Sequence, residues 1–373
     1  MRYQYQFQLY LKLLTMKIYK IIGLMSGTSL DGLDLAYCHI WEEKTKWEFE
    51  IKATKSVAYT NEMETKLKDS ISLSAAELLQ FHNSYGTWLG QQAKLFIEEQ
   101  NLDVDYIASH GHTTHHQPHK GFTFQIGSGQ HIANETGIEV ICDFRTNDVA
   151  LGGQGAPLVP IGDQLFFNDY DFCLNLGGIS NISFNFHHKR IAYDIGLANM
   201  GLNYITRKAG LAYDEGGKLA RKGSINSTML KALNALEYYD LPFPKSIGYE
   251  WFIDKVVPII DDTKDALENL LHTMVMHVSE KIAEDILQNT TRPKNTLLVT
   301  GGGALNNYLI ESLQLKLGNT VTVDVPSKTI IEFKEALIFA LMGVLRIRKQ
   351  TNVLCSVTGA TRDSSSGVIY VAC

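Results

Sequence analysis

Over residues 17–25, β-branched and aromatic side chains run up to a glycine-rich turn, which predicts a strand. Residues 33–41 predict a second. Over 47–59, Trp47, Phe49 and Ile51 alternate with Glu48, Glu50 and Lys52, the two-residue period of a half-buried strand. Three strands joined this closely form an antiparallel meander. The period then lengthens. Ser74-Ala-Ala-Glu77 reads as a capping box, and Leu78, Phe81, Tyr85, Trp88 and Leu95 or Phe96 recur at helical spacing behind it. Beyond that long helix the pattern predicts a strand at Tyr106–Ser109, a short hairpin around Phe122–Ile126, a helix near 130–136 and a strand over 139–144.

The second half runs through the same order. Short strands are expected at Phe172–Leu176, 181–186 and 190–194, and helix over 199–209 and on to about residue 288. A strand at 296–300, a helix at 304–317, a strand at 321–325 and a closing helix at 334–348 follow. Each half reads three strands, helix, strand, helix, strand. The expectation is a mixed α/β chain built from two copies of one unit, a duplicated domain rather than a solenoid array, whose repeats are far shorter. Two unrelated α/β domains would give the same order of elements.

A chain of 373 residues is long enough for two domains. Gly and Pro cluster over 152–163 and mark the seam. This gives an N-terminal domain over 16–155 and a C-terminal domain over 156–373 that includes the closing helix. Residues 1–15 are too interrupted by Gln and Lys for a signal-peptide core. They read as an N-terminal extension, disordered or an upstream start, with an added edge strand as the competing reading.

Composition narrows the class of function. A net charge of −6 and the absence of long basic runs argue against broad contact with nucleic acid or an anionic membrane surface. No segment reaches the apolar length of a membrane span. The five cysteines are scattered without a C-x-x-C pair, which fits reduced thiols in a cytoplasmic protein better than disulfides or a thiolate zinc site.

Five runs carry candidate chemistry. In Gly23-Leu-Met-Ser-Gly-Thr-Ser-Leu-Asp-Gly-Leu-Asp34, glycines free backbone N–H groups to face phosphate oxygens, Ser26, Thr28 and Ser29 add hydroxyl donors, and Asp31 and Asp34 can hold magnesium directly or through water. It has no lysine, so it is not a Walker A loop; a tight hairpin turn is the plain alternative. Tyr193-Asp-Ile-Gly-Leu-Ala-Asn199 sits at the matching place in the second half. Asp194 there is either a general base or a helix cap. Val299-Thr-Gly-Gly-Gly-Ala-Leu-Asn306 lets backbone approach a flat or charged ligand. With Asp324 downstream it also suggests a dinucleotide site, but Asn306 stands where a third glycine is wanted.

His110, His112, His115 and His116 crowd one stretch without the spacing of a known zinc site, and read as a polar substrate loop rather than metal ligands. Arg145 can grip a carboxylate or pair with Asp143 or Asp148. Gly152-Gly-Gln-Gly155 after it reads as a hinge.

Together these runs resemble the anhydro-N-acetylmuramic acid kinase family of the hexokinase, actin and chaperone-ATPase superfamily. The resemblance covers residues 18–362. It rests on 23–34, 109–118, Gln125-Ile-Gly127, 143–160, Asn175-Leu-Gly-Gly-Ile-Ser-Asn181, 194–199, 301–306 and Val357-Thr-Gly-Ala360, in that order. It implies two duplicated ribonuclease-H-like domains, the actin-like ATPase fold, with ATP in the cleft between them. The activity it implies is an ATP- and magnesium-dependent kinase that uses water to open the 1,6-anhydro ring of anhydro-N-acetylmuramic acid and phosphorylates O6. The products are N-acetylmuramic acid 6-phosphate and ADP, in cytoplasmic peptidoglycan recycling.

By the same resemblance, Gly27, Thr28, Ser29, Leu30, Asp31, Gly32, Leu33 and Asp34 contact the ATP phosphates, and Gly301, Gly302, Gly303 and Asn306 lie against the adenosine. Asp194 activates the attacking water. Thr113, Gln125, Arg145 and Glu335 bind the sugar, Arg145 through the lactyl carboxylate or ring substituents. The implied partners are the amino sugar and ATP, with neither nucleic acid nor membrane, and a homodimer is compatible with the family. Two positions depart from its pattern: Leu197 replaces a proline after Gly196, and His112 replaces a glutamine. They motivate two rivals, a same-fold kinase acting on another sugar and a non-catalytic ATP-binding module. Retention of Asp194 and Arg145 speaks against the second.

Overall fold

The computed structural model describes residues 17–27, 30 and 32–372. Residues 1–15 and three members of the first glycine-rich run, Thr28, Ser29 and Asp31, lie outside the described residues. The chain forms two compact units. One holds the described residues through Phe166 and those from Phe333 onward; the other is Phe167–Glu332.

In the first unit, β1 (Tyr19–Ser26), β2 (Leu33–Glu43) and β3 (Lys46–Val57) form the antiparallel meander that the alternation predicts. β4 (Tyr106–Ser109) lies parallel to β1. After the ribbon of β5 (His112–Gln117) and β6 (Phe122–Ile126), β7 (Glu139–Cys142) extends the sheet parallel to β4. The strand order is β3-β2-β1-β4-β7. Helix α1 (Ala75–Gln100) starts at the expected capping box: the Ser74 hydroxyl accepts from the Glu77 N–H while the Glu77 carboxylate accepts from the Ser74 N–H. Its buried residues Tyr85, Leu89, Ala93 and Phe96 follow the helical period and share a core with Ile22, Leu24, Leu33 and Leu35. α2 (Gly129–Thr136) adds Ile132 and Ala133 to that core.

The second unit repeats the plan. β8 (Phe172–Leu176), β9 (Ile179–Phe186) and β10 (Lys189–Leu197) are antiparallel, β11 (Asn295–Thr300) lies parallel to β8, and β12 (Val321–Asp324) parallel to β11. The order β10-β9-β8-β11-β12 reproduces β3-β2-β1-β4-β7 strand for strand and sense for sense. This is the ribonuclease-H-like sheet, present twice. α3 (Asn199–Lys208), α4 (Leu267–Gln288) and α5 (Asn307–Leu317) enclose it. α4 contributes Leu271, Met274, Val275, Val278, Ile282 and Ile286 to a separate core.

The last helix, α6 (Lys328–Ile347), differs from both patterns. Lys328, Thr329, Glu332 and Glu335 in its first turns are exposed, but Ala336, Leu337, Ile338, Phe339, Ala340, Leu341, Met342, Val344 and Leu345 are all buried, so from Ala336 onward it has no polar face to turn to water. From Phe333 it groups with the first unit, and a final strand, Val368–Tyr370, pairs antiparallel with β7 at that sheet's edge. The contiguous division expected from the sequence, 16–155 and 156–373, therefore differs from the grouping seen. Residues 156–166 and 333–372 pack with the first unit. Composition marks a flexible joint in the chain; it carries no mark of a distant segment returning to close a sheet. No helix among the described residues is long and apolar enough to cross a membrane.

Candidate functional site

In the first unit the glycine-rich run joins β1 to β2. Leu30 N–H donates to the Gly27 carbonyl at 3.3 Å, and Leu30 and Gly32 both have positive φ, 62° and 149°. A Cβ on Gly32 would stand 2.5 Å from the Val57 carbonyl oxygen, so the chain passes β3 only because that position is glycine. Leu33 opens β2 and is fully buried; Asp34 follows, and its Oδ1 accepts from the Ser56 hydroxyl at 2.5 Å.

Thr113 and Gln125 are cross-strand partners in β5 and β6. Gln125 Nε2 donates to Thr113 Oγ1 at 3.3 Å and to Thr123 Oγ1 at 2.9 Å, and Thr123 Oγ1 also meets His116 Nδ1 at 3.0 Å. Arg145 bonds neither Asp143 nor Asp148. Its Nε and Nη2 both donate to His110 Nε2, at 3.0 and 2.9 Å, and Nη1 donates to the Gly155 carbonyl at 2.5 Å. The other His110 nitrogen donates to the Gly111 carbonyl at 2.9 Å, which leaves Nε2 as an acceptor. Burial, reinforced by the Arg145 charge, holds His110 neutral by lowering it to about 3.

Burial lowers Arg145 as well, to about 10, while Glu335 and Asp148 oppose that shift. The Glu335 carboxyl is raised by the protein around it and by the Asp34 charge, with Arg145 and Lys334 pulling it down. Its side chain still reaches solvent. Arg145, Glu335 and Asp34 thus form one electrostatic chain in the first unit.

Asp148 has a different task. Fully buried, it accepts from the Gly155 N–H at 2.7 Å and from the Thr358 hydroxyl at 2.7 Å. Gln154 N–H donates to the Thr358 carbonyl, so the run 152–155, which reads as a hinge in sequence, is clamped. The histidines also disperse: His110 to Arg145, His112 Nδ1 to Ser26 Oγ at 3.1 Å, and His116 to Thr123. The Ser26 oxygen also accepts from the Tyr59 and Tyr85 hydroxyls, and burial lowers His112 to about 4.

In the second unit, Asp194 lies in β10 just before a bulge between Asp194 and Gly196. It caps no helix: α3 has Ala198 at its N-cap with no side-chain bond. Its Oδ2 accepts from the Ile247 N–H at 3.1 Å, its own N–H donates to the Lys245 carbonyl at 3.2 Å, and its carbonyl accepts from the Tyr238 hydroxyl at 2.6 Å. Among the described residues Oδ1 has no protein hydrogen bond. Burial raises the carboxyl and the Ile247 bond partly offsets this.

The glycines at 301–303 follow β11 and lie against the β8–β9 turn. Gly301 has φ 80°, and a Cβ there would stand 2.5 Å from Asn175 Oδ1 and 2.8 Å from the Leu176 carbonyl oxygen. Asn199 fastens the same turn, its Nδ2 donating to the Leu176 carbonyl at 3.1 Å and its N–H to that of Gly177 at 3.1 Å. Asn306 caps α5 through the Leu309 N–H at 3.1 Å. Asn175, Gly177, Gly178 and Asn199 thus belong to the cradle with Gly301, Gly302, Gly303 and Asn306. The run 175–181 signals this, but reading strands one at a time does not reveal that β8 and β11 end side by side. Asp324, the acid of the dinucleotide alternative, has its carboxylate engaged by the Tyr170 hydroxyl.

Residues 19–372 match the family model for anhydro-N-acetylmuramic acid kinase. The anhydro-N-acetylmuramic acid kinase of Hydrogenovibrio crunogenus is 34% identical, covering 94% of this chain and 97% of that protein. That of Haemophilus influenzae is 33% identical, covering 96% and 99%. The chain belongs to the anhydro-N-acetylmuramic acid kinase family. It is therefore a sugar kinase, a transferase that uses ATP, and the duplicated sheet is the scaffold on which this family's groups are mounted.

Proposed function

We propose that the protein opens the 1,6-anhydro ring of anhydro-N-acetylmuramic acid with water and phosphorylates O6, within cytoplasmic peptidoglycan recycling. The observation that carries this reading is the Asp194 carboxylate, held at Oδ2 by one backbone N–H and open at Oδ1. Water attacks the anomeric carbon and gives its proton to Asp194; the bond from that carbon to O6 breaks, and O6 takes its electron pair to the γ-phosphorus, releasing ADP. Gly27, Thr28, Ser29, Leu30, Asp31, Gly32, Leu33 and Asp34 hold the ATP phosphates, and Gly301, Gly302, Gly303 and Asn306 the adenosine. Magnesium would be held at Asp34 and Asp31, neutralising phosphate charge; the Asp34 carboxylate, steadied by Ser56, suits an oxygen-seeking cation. Thr113, Gln125, Arg145 and Glu335 hold the sugar, and the enzyme acts as a homodimer.

His112 Nδ1 bonds Ser26, and Leu197 of β10 pairs with Ile179 of β9; the rival reading, a same-fold kinase acting on another sugar, is separated by a panel of sugar acceptors. The decisive assay follows ADP release with and without anhydro-N-acetylmuramic acid in water enriched in oxygen-18. Label at the anomeric hydroxyl of the 6-phosphate product is the expected result. Sugar-independent ADP release, or an unlabelled product, overturns the reading.

Arg145 gives a second prediction. Lysine keeps the charge but cannot satisfy His110 and the Gly155 carbonyl while presenting a planar fork to a carboxylate. A charged hydrogen bond contributes about 1.5–3 kcal/mol, so Arg145→Lys is expected to lower kcat/KM for the sugar roughly 10- to 100-fold. The KM for ATP should stay within a factor of about two, as steady-state kinetics with each substrate varied will show.

A further inference from the structure

The segment just beyond Tyr239 runs across Asp194, and the reaction scheme above uses nothing of it beyond the one backbone N–H at Oδ2. Three attachments hold it. The Phe243 ring stacks on Tyr193, the residue before Asp194, at 5.3 Å between centroids and 7° between planes, and meets Phe186 edge-on at 5.3 Å. The Lys245 ammonium lies 5.1 Å from the centroid of the Tyr238 ring and donates to the Tyr239 carbonyl at 3.4 Å. The Lys245 carbonyl and the Ile247 N–H then grip Asp194 from both ends, one through its backbone N–H and the other through its carboxylate.

We propose that residues 243–247 form a strap that fixes the Asp194 carboxylate in its reacting orientation, with the Ile247 N–H as the gripping contact and Phe243 as the anchor. The inference rests on Asp194 being the general base. An aspartate has two side-chain torsions to lose, and the backbone ladder of β10, in which Asp194 pairs with Asn181 just before the bulge, fixes neither. One bond to Oδ2 removes that freedom and aims Oδ1 outward. It also selects which oxygen receives the proton, since Oδ2 already accepts one.

The strap has its own supports. Tyr193 donates to Asp285 at 2.7 Å, Asp285 faces the Lys245 ammonium, and Tyr238 donates to the Asp194 carbonyl. The titratable groups around the base are therefore Tyr193, Tyr238, Lys245, Asp240 and Asp285. Among the described residues, the only direct bond to its carboxylate comes from the strap.

Ile247→Pro removes the N–H, and it also replaces the side chain and fixes φ. Misplacing a reacting group by about an ångström can cost 100-fold. The expected result is a kcat roughly 10- to 100-fold lower, with the KM for ATP unchanged and the acidic limb of the kcat profile moved to higher pH, because the bond that favours the ionised carboxylate is gone. Ile247→Ala keeps the N–H and should lose far less. Equal losses in the two variants, or a proline variant with normal kcat and pH profile, overturn the proposal. If the proline variant does not fold, Phe243→Ala replaces it: kcat should fall, and Phe243→Tyr, which keeps the stacked ring, should restore it. No difference between those two overturns the proposal equally. Asp194→Asn separates the two levels. If that variant is inactive while the strap variants are normal, the strap fails alone; if it is active, the assignment of the base fails.

Discussion

Asp194→Asn is expected to reduce kcat by about 100- to 10,000-fold, the usual contribution of a positioned general base, while the protein melts at or above the temperature of the unaltered chain. The two halves of this expectation have one cause. Asn fits the same space and its amide oxygen can still accept from Ile247, but it cannot take a proton from water. Burial is the larger influence on this carboxyl and raises it. A raised carboxyl binds its proton in the folded chain before it would in the unfolded one. Fold stability therefore grows as pH falls through the folded value, and the ionised group costs stability at neutral pH. Asn relieves that cost, which is why loss of activity and undiminished melting belong together.

The same sign fixes the pH profile. A base must be ionised, so activity falls as pH drops through the raised value, at a higher pH than an exposed aspartate would give. The residual rate of the Asn variant should lack that limb. Parallel kcat profiles for the two proteins, or a marked drop in melting temperature, would show that Asp194 is structural.

Much of this was legible from the chain. The alternation at Trp47, Phe49 and Ile51 gave β3, the Ser74–Glu77 box gave the start of α1, and the repeated order of elements gave the duplicated sheet. These are local signals, set by side-chain period and capping chemistry. The partners of the site residues were not legible. Arg145 has two nearby candidates in sequence, Asp143 and Asp148, yet two of its donors go to His110, thirty-five positions away, because β4 and β7 are parallel neighbours that bring their ends together. Asp194 reads equally as a cap or a base in sequence; the residue that holds its carboxylate, Ile247, stands fifty-three positions on. Pairings of this kind depend on how strands are ordered, which periodicity does not encode. Gly152-Gly-Gln-Gly155 shows the converse: a composition that signals freedom in sequence is immobilised by one buried aspartate.

Gly23→Ala is expected to destabilise the first unit strongly. Gly23 lies within β1, three positions before the end of the strand that leads into the glycine-rich run, and α6 crosses it backbone to backbone. A Cβ on Gly23 would stand 1.9 Å from the Ala336 carbonyl oxygen, 2.7 Å from its carbon and 3.2 Å from the Ala340 nitrogen. All three are main-chain atoms, so no rotamer change can make room; strand or helix must move. Overpacking a core costs about 1–3 kcal/mol when side chains can yield, and more when they cannot. For units of this size each kcal/mol lowers the melting temperature by roughly 2–4 °C, so a loss of about 10 °C is expected. Activity should suffer as well. Ala336 follows Glu335, and moving α6 off β1 shifts that carboxylate away from Arg145 and Asp34. The KM for the sugar should then rise even at temperatures where the variant is folded. A variant that melts and binds sugar normally would mean that α6 does not rest on β1 through this contact.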